Sequence, residues 1–356
     1  MLLMLSAAWA ASDDPGPHAV ATRSFDVVTP TRGRLLGVLT APSSGGGYPL
    51  VALLHGWTGD PSGHEELAEH IASWGYAVML PGTNTGLLPD VDDYAGDTAA
   101  MMVGVADLSD TPGSAIEGLV DTAAPWSAVG HSMGGGTLGP LTDLEPRIRV
   151  IVGMEAAAST PQHEAMFRAY DGASLMIAGS DDVVVPARVV HDWFEIGDAT
   201  RRNLYVEIAG SGHLAPNDLD IPDLPTPLPR TEQLRLHERL VVAFLQAEVR
   251  GEEDRYAELL DPTEPLTVEA DCAEPVLVGG AGGVAVLGRA GDTARVGLSA
   301  APGAVPTPWG VVALDPAGAS VTPLPLGPDG VGVGPMGAGF AQALAGGALT
   351  RSIEIP

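Results

Sequence analysis

The chain predicts an α/β protein: a mostly parallel sheet with helices on both faces, followed by a small β-rich C-terminal domain. Three observations predict it. Strand-like apolar runs alternate with amphipathic helical patterns over residues 24–249. One such run, Trp126-Ser127-Ala128-Val129, passes directly into Gly130-His131-Ser132-Met133-Gly134, after which Gly135, Gly136, Thr137 and Leu138 open a helix. Near Asp261 the helical patterns stop, and Gly, Ala, Val and Pro take over.

The elements follow in order. Residues 24–28 and 35–39 read as leading antiparallel strands joined by the turn Pro30-Thr31-Arg32-Gly33. Residues 51–54 form the first core strand. Ser62 and Glu65 have the spacing of a capping box. Leu67, Ile71 and Trp74 then share one helical face, and Gly75 suits the C-terminal cap. Residues 76–80 are the next strand, and residues 97–108 a helix with Met101, Met102 and Val105 inward. Further strands are expected at 148–154, 174–178 and 203–208, and a long helix at 234–249. Residues 19–260 thus make one large domain. Pro262, Pro265 and the acidic Glu269-Ala270-Asp271 predict a linker over 261–274. Residues 275–356 carry short alternating runs such as Val276-Leu277-Val278, Val284-Ala285-Val286-Leu287, Ala294-Arg295-Val296-Gly297-Leu298 and Ile353-Glu354-Ile355. The turn-like units Asp315-Pro316-Ala317-Gly318 and Gly327-Pro328-Asp329-Gly330 stand among them. These runs predict the small β-domain, to which the sequence assigns no function.

Gly130-His131-Ser132-Met133-Gly134 is a G-x-S-x-G sequence. Between a strand and a helix, two such glycines permit a turn too tight for larger side chains, with the serine hydroxyl exposed above the sheet. Its partners occur in the chain order Ser, Asp, His. The run at 174–178 ends in Gly179-Ser180-Asp181-Asp182-Val183-Val184-Val185-Pro186, and the run at 203–208 leads into Ala209-Gly210-Ser211-Gly212-His213. The D-x-x-x-P spacing favours Asp182 over Asp181 as the acid. Such an order is that of α/β-hydrolases. Ser132 would attack an acyl carbon, His213 would remove its proton, and Asp182 would orient the imidazole. The oxyanion needs fixed donors, expected at the backbone N–H of Met133 and of Trp57, in the loop His55-Gly56-Trp57-Thr58-Gly59. His131 is expected to pack under the turn and His55 to support the oxyanion loop. His18, His64, His70, His163, His191 and His237 are set aside as solvated or core residues. A non-catalytic binding protein on the same scaffold would leave Ser132, His213 and Asp182 apart.

With these segments in register, the chain resembles the bacterial cutinase-like polyester hydrolases and their triacylglycerol-lipase relatives over residues 19–260. The resemblance rests on Tyr48-Pro49-Leu50-Val51-Ala52 with Gly56-Trp57-Thr58-Gly59, and on Pro81-Gly82-Thr83-Asn84-Thr85 in the place of the family's D-T-N-T turn. It rests further on the G-x-S-M-G-G-G segment 130–136, on Asp182 to Pro186, and on His213-Leu214-Ala215-Pro216-Asn217. Asp254-Arg255-Tyr256, near Leu259-Leu260, is similar to the end of the family's closing helix. The resemblance implies an α/β-hydrolase fold, ester hydrolysis through an acyl-serine, no cofactor, and a substrate cleft flanked by Trp57 and Leu214. The family usually has tyrosine or phenylalanine at Trp57 and phenylalanine at Leu214. It also usually has a tryptophan within the stretch that reads Met154-Glu155-Ala156-Ala157-Ala158-Ser159-Thr160-Pro161 here, where no aromatic stands. Its C-terminal disulfide cannot form, because Cys272 is the only cysteine. Polyester and small-ester or acylglycerol substrates therefore stay as competing expectations.

Composition narrows the partners. Asp and Glu number 45 against 17 basic residues, all arginine, for a formal net charge of −28. That charge disfavours nucleic acids, anionic membranes and polyanionic substrates and suits a neutral ester. No His/Asp/Glu/Cys cluster has metal-ligand spacing. Residues 1–11 form an apolar stretch ending in small residues, as in a signal peptide cut after Ala10 or Ala11, so a secreted or periplasmic location is expected. The stretch lacks a basic n-region. Oligomeric state is not legible.

Overall fold

The computed structural model describes residues 11–218, 226–261, 263–280, 283–289, 291–299, 302–307, 310–314, 320–329, 331–335, 339–345, 348–350 and 353–355. The leader-like residues 1–10 lie outside them. Nine strands form the central sheet: β1 (Val20–Thr29), β2 (Gly33–Pro42), β3 (Leu50–Leu54), β4 (Ala77–Pro81), β5 (Trp126–His131), β6 (Ile148–Met154), β7 (Ala173–Gly179), β8 (Arg202–Ile208) and β9 (Leu266–Cys272). Their spatial order is β1-β2-β4-β3-β5-β6-β7-β8-β9. From β4 through β8 neighbours are parallel, while β1, β2 and β9 join antiparallel at the two flanks. This is the α/β-hydrolase arrangement expected from the sequence.

The connecting helices are α1 (Glu65–Ser73), α2 (Val91–Asp110), α3 (Met133–Gly136), α4 (Leu138–Leu144), α5 (Pro161–Arg168), α6 (Ala187–Ile196), α7 (Arg230–Arg250) and α8 (Tyr256–Leu259). Strand side chains alternate between two apolar layers, as a period of two requires. Val51 and Leu53 join α1 and α7 residues such as Ile71, Leu240 and Phe244 on one face. Leu50, Ala52 and Leu54 join Met101, Val105, Leu141, Phe167 and Trp193 on the other. The parallel strands are covered on both faces, which explains why they read as continuous apolar runs.

Two expectations need correction. The Ser62–Glu65 capping box does not form, because it needs the serine at the N-cap and the glutamate three positions inside the helix. Here Asp60 accepts the Ser62 N–H at 2.8 Å and starts the short 3₁₀ turn Pro61–His64, so Glu65 is already the first residue of α1. Asp218, distant in sequence, accepts the Glu66 N–H instead, at 2.8 Å. The expected linker 261–274 contains β9, paired with β8 from Ile208↔Leu266 to Arg202↔Cys272. Leu266, Val268, Ala270 and Cys272 alternate toward the core, while Glu269 and Asp271 occupy the intervening positions. Pro265 precedes the strand, and its ring leaves the ladder donors intact. Cys272 is buried and unpaired.

Beyond β9 the described residues form β10 (Val276–Gly280), β11 (Gly283–Leu287), β12 (Thr293–Ser299), β13 (Pro302–Thr307), β14 (Gly310–Leu314), β15 (Ser320–Pro325), β16 (Val331–Pro335), β17 (Gly339–Ala345), β18 (Ala348–Leu349) and β19 (Ile353–Ile355). They pair as a three-stranded sheet, a larger sheet around β12 and β17, and the β13-β14 hairpin. The turn-like residues 315–318 lie outside the described residues. Leu277, Val286, Val296 and Ala343 make a small core here, whereas Val276, Val278 and Leu287 pack into the main one.

Glu248 on α7 ties β8 to the closing helices. Its fully buried side chain binds Arg202 at 2.9 Å, Arg201 and the Tyr256 hydroxyl, and Arg202 also reaches Glu253 at 2.6 Å. Removing Glu248 takes one of two carboxylates from the buried guanidinium of Arg202, leaving Glu253, and also unpairs Arg201 and the Tyr256 hydroxyl from it. Glu248→Ala is expected to lower unfolding free energy by about 3–5 kcal/mol in urea titration. A loss below about 1 kcal/mol would show instead that the network behaves as a solvated surface pair.

Candidate active site

The G-x-S-x-G segment forms a sharp junction between β5 and α3. Ser132 sits there at φ 54° and ψ −116°, a region that side chains rarely occupy. The strain is held from both sides: the Ser132 N–H donates to Met154 O at 2.9 Å, and the Ala157 N–H donates to Ser132 O at 2.9 Å. The glycines are required by space. A Cβ on Gly130 would lie 2.4 Å from Gly134 O, one on Gly134 2.5 Å from Leu54 O, and one on Gly135 2.6 Å from Ala156 Cβ. No side chain fits any of these gaps.

The structure brings the three expected residues together at the C-terminal edge of the parallel strands. His213 Nε2 is 3.0 Å from Ser132 Oγ, and His213 Nδ1 is 2.7 Å from Asp182 Oδ2. All three side chains are buried. The other oxygen of Asp182 accepts the N–H groups of Val184 and Val185, each at 2.8 Å, which orients the carboxylate. Asp181 is exposed and accepts the Ser180 hydroxyl instead. The loop carrying His213 is anchored by Gln233 of α7, whose Oε1 accepts the Gly212 N–H at 2.9 Å and the Ser211 hydroxyl at 3.2 Å.

Met133 is the first residue of α3, where a backbone N–H has no intrahelical acceptor. Trp57 lies in a tight turn closed by the Gly59 N–H on Gly56 O at 3.0 Å, with Thr58 at φ 59°. A Cβ on Gly56 would lie 3.1 Å from Ser132 Cβ, so the turn runs directly against the serine. His55 braces it, its ring 2.8 Å from Gly56 O and 3.0 Å from Thr83 O. The Trp57 indole is 61% exposed and donates to Leu87 O at 3.1 Å. Leu87, Leu88, Val183 and Val184 are likewise exposed on the adjoining loops. Leu214 is half-buried. In the stretch 154–161 Ala156 is buried against Gly135, and Trp193 donates its indole N–H to Ala157 O from a buried position.

A family profile described as PET hydrolase-like matches residues 7–222, more than half of the chain. The chain belongs to the PET hydrolase-like family. Cutinase est2 of Thermobifida alba is 30% identical over 185 residues, which are 51% of this chain and 58% of that protein. Cutinase 2 of Thermobifida cellulosilytica is 28% identical over 184 residues, 51% of this chain and 66% of the relative. Cutinase cut1 of Thermobifida fusca is 28% identical over 184 residues, 51% and 54% of the two chains. The chain thus spans between about half and two thirds of the length of these curated relatives.

Several histidines that this family member's sequence left in the background surround the site. His131 places Nε2 2.8 Å from His213 O, and its ring lies between those of His213, at 5.0 Å, and His64, at 5.2 Å. His64 is buried with neither ring nitrogen hydrogen-bonded, and His131 Nδ1 is also unpartnered. Burial pushes the His64 imidazole down to about 3 from the ordinary 6.5. His163 on α5 ties the preceding loop to the start of α2, its ring 2.5 Å from Ser159 Oγ and 3.0 Å from Asp92 Oδ1. His237 and Glu155 form a buried pair at 3.0 Å. Burial holds the Glu155 carboxyl above its ordinary value; burial opposes charge on His237, but Glu155 outweighs it and holds that imidazole up. Among the described residues no His/Cys/Asp/Glu group has the arrangement of a metal site.

His64 generates a prediction with a definite sign. Below about pH 6.5 the unfolded chain takes up a proton that folded His64 refuses until about pH 3. Its contribution to stability is therefore whole above pH 6.5 and is lost progressively toward pH 3. His64→Leu also removes two unpaired buried nitrogens. The variant is expected to melt at a higher temperature than wild type, with a larger gain at pH 5 than at pH 8, by differential scanning calorimetry. An equal or lower melting temperature at both pH values would contradict this.

Proposed function

We propose that the protein is an exported carboxylic-ester hydrolase that works through an acyl-serine on Ser132. The observation that carries the reading is the hydrogen-bond chain from Ser132 Oγ through His213 to Asp182. In the first half-reaction Ser132 Oγ bonds to the ester carbonyl carbon while its proton passes to His213 Nε2. Asp182 holds Nδ1–H and stabilises the imidazolium. The backbone N–H groups of Met133 and Trp57 receive the oxyanion, an interaction worth roughly 100- to 1,000-fold in rate per donor. The carbon–oxygen bond to the alcohol then breaks, and the imidazolium returns its proton to the departing alcohol. Water, deprotonated by His213, attacks the acyl carbon and releases the acid, and the proton goes back to Ser132. No cofactor enters the cycle.

The substrate in this reading is a neutral ester. The exposed apolar rim of Trp57, Leu87, Leu88, Val183 and Val184 supports an apolar acyl or polymer chain, and the net charge of −28 disfavours polyanions. Stacking of an aromatic acid is weakly supported, since stretch 154–161 carries no aromatic and Trp193 behind it is buried. Each missing aromatic contact removes roughly 0.5–1.5 kcal/mol. Aliphatic polyesters and simple esters are therefore favoured over aromatic polyesters. Export is supported by the leader-like residues 1–11.

Hydrolysis of p-nitrophenyl esters of increasing acyl length tests the reading directly. Wild-type protein is expected to turn them over, and Ser132→Ala to lose at least about 10⁴-fold in kcat. A Ser132→Ala variant that retains the wild-type rate would move the chemistry to another residue.

A further inference from the structure

Glu155 and His237 take no part in the cycle above, yet both side chains are completely buried beside it. Glu155 follows β6 with φ 44°, a left-handed conformation that a residue with a side chain rarely adopts. Its neighbours explain why the turn is kept there. Met154, just before it, accepts the Ser132 N–H, and Ala157, two residues after it, donates to Ser132 O. Segment 154–157 thus grips both backbone groups of the nucleophile, and Glu155 is its pivot.

The pivot is fastened to α7. Glu155 Oε1 lies 3.0 Å from His237 Nε2, and His237 Nδ1 lies 2.8 Å from Gln233 O. One turn earlier on the same helix, Gln233 holds Gly212 and Ser211, directly before His213. One face of α7 therefore anchors the segment behind Ser132 and the loop bearing His213.

Protons can be placed from geometry alone. Gln233 O only accepts, so His237 Nδ1 carries a hydrogen. A single further proton lies between Nε2 and Oε1, since two facing lone pairs would repel, and with that proton on His237 the pair is an ion pair whose negative end is Glu155. That carboxylate interacts electrostatically with His213 and Asp182. The geometry points to Glu155 and His237 as positioning residues that align Ser132 with His213 and turn negative charge toward the imidazolium formed in each half-reaction. This rests on the ester-hydrolase reading.

The groups facing the two histidines are defined. His213 meets Asp182 on the loop after β7, Ser132 and His131 at the end of β5, with His64 beyond His131. Glu155 meets His237 on α7, whose chain neighbour Glu238 also raises the His237 imidazole. Glu155→Gln keeps size and hydrogen bond but removes the charge, so His131, His64 and Asp182 stay as they are.

The experiment compares wild type, E155Q and H237Q on one p-nitrophenyl ester, with active serines counted by a fluorophosphonate and folding followed by circular dichroism. E155Q is expected to lose about tenfold in kcat with KM within about twofold, as for a weakened general base. The acid limb of its kcat/KM profile is expected to move to lower pH, because the anion that favours the imidazolium is gone. H237Q, which deprives Glu155 of its cationic partner and favours its neutral form, is expected to move both readouts in the same direction, and it carries the test if E155Q does not fold. Wild-type turnover with unchanged kcat and an unchanged acid limb in the folded variants would overturn the positioning role while leaving the hydrolase reading intact. A folded wild type without ester turnover would overturn both.

Discussion

The backbone of Ser132 is the constraint on which the rest of the site depends. A side chain at φ 54° and ψ −116° is unfavourable by roughly 1–3 kcal/mol and persists only where its surroundings leave no alternative. Those surroundings come from the sheet. The β5–β6 register, Gly130↔Gly153 and His131↔Met154, brings Met154 O under the serine N–H. The missing Cβ atoms of Gly130, Gly134 and Gly135 let α3 begin without a loop, closer to β3 and to Ala156 than side chains permit. Strand pairing far from any substrate therefore fixes where a hydroxyl points.

Around that point the protein concentrates polar groups in a dry environment. His131 carries the backbone of His213, Gln233 carries the residues before it, and two N–H groups carry Asp182. Each bond is strengthened by the low local dielectric, and each would be expensive to leave unmade. His64 is the exception, buried without partners and held neutral. The packing that buries Ser132, His213 and Asp182 has been extended over a side chain that would be more stable wet.

Much of this arrangement was readable from residues. The serine turn, the two loops carrying Asp182 and His213, and the alternating layers follow from short-range patterns: glycine spacing, strand-like runs, and a proline after the acid. What escaped was long-range. Asp60 displaced Ser62 as the cap because its carboxylate sits before a proline-led 3₁₀ turn, and Asp218 supplied a second acceptor from across the chain. Residues 266–272 read as a linker because acidic side chains mask the alternation of Leu266, Val268, Ala270 and Cys272. Glu155 stood in plain view as a lone charge within Gly153-Met154-Glu155-Ala156-Ala157, and Gln233 and His237 as polar residues one turn apart on an amphipathic helix with many other polar residues. Their meaning needed the fold that joins them.

The antiparallel sense of β9 sets a direction for the C-terminal quarter of the chain. Every parallel strand ends at the edge where Ser132, Asp182 and His213 meet, and β9 starts at that edge, with Leu266 opposite Ile208. It then runs back, so that Cys272 lies opposite Arg202 at the far edge, and the strands that follow leave from there. The chain thus exits on the side of the sheet away from its serine. Residues attached directly after Cys272 therefore start their path at the edge of the sheet opposite the serine.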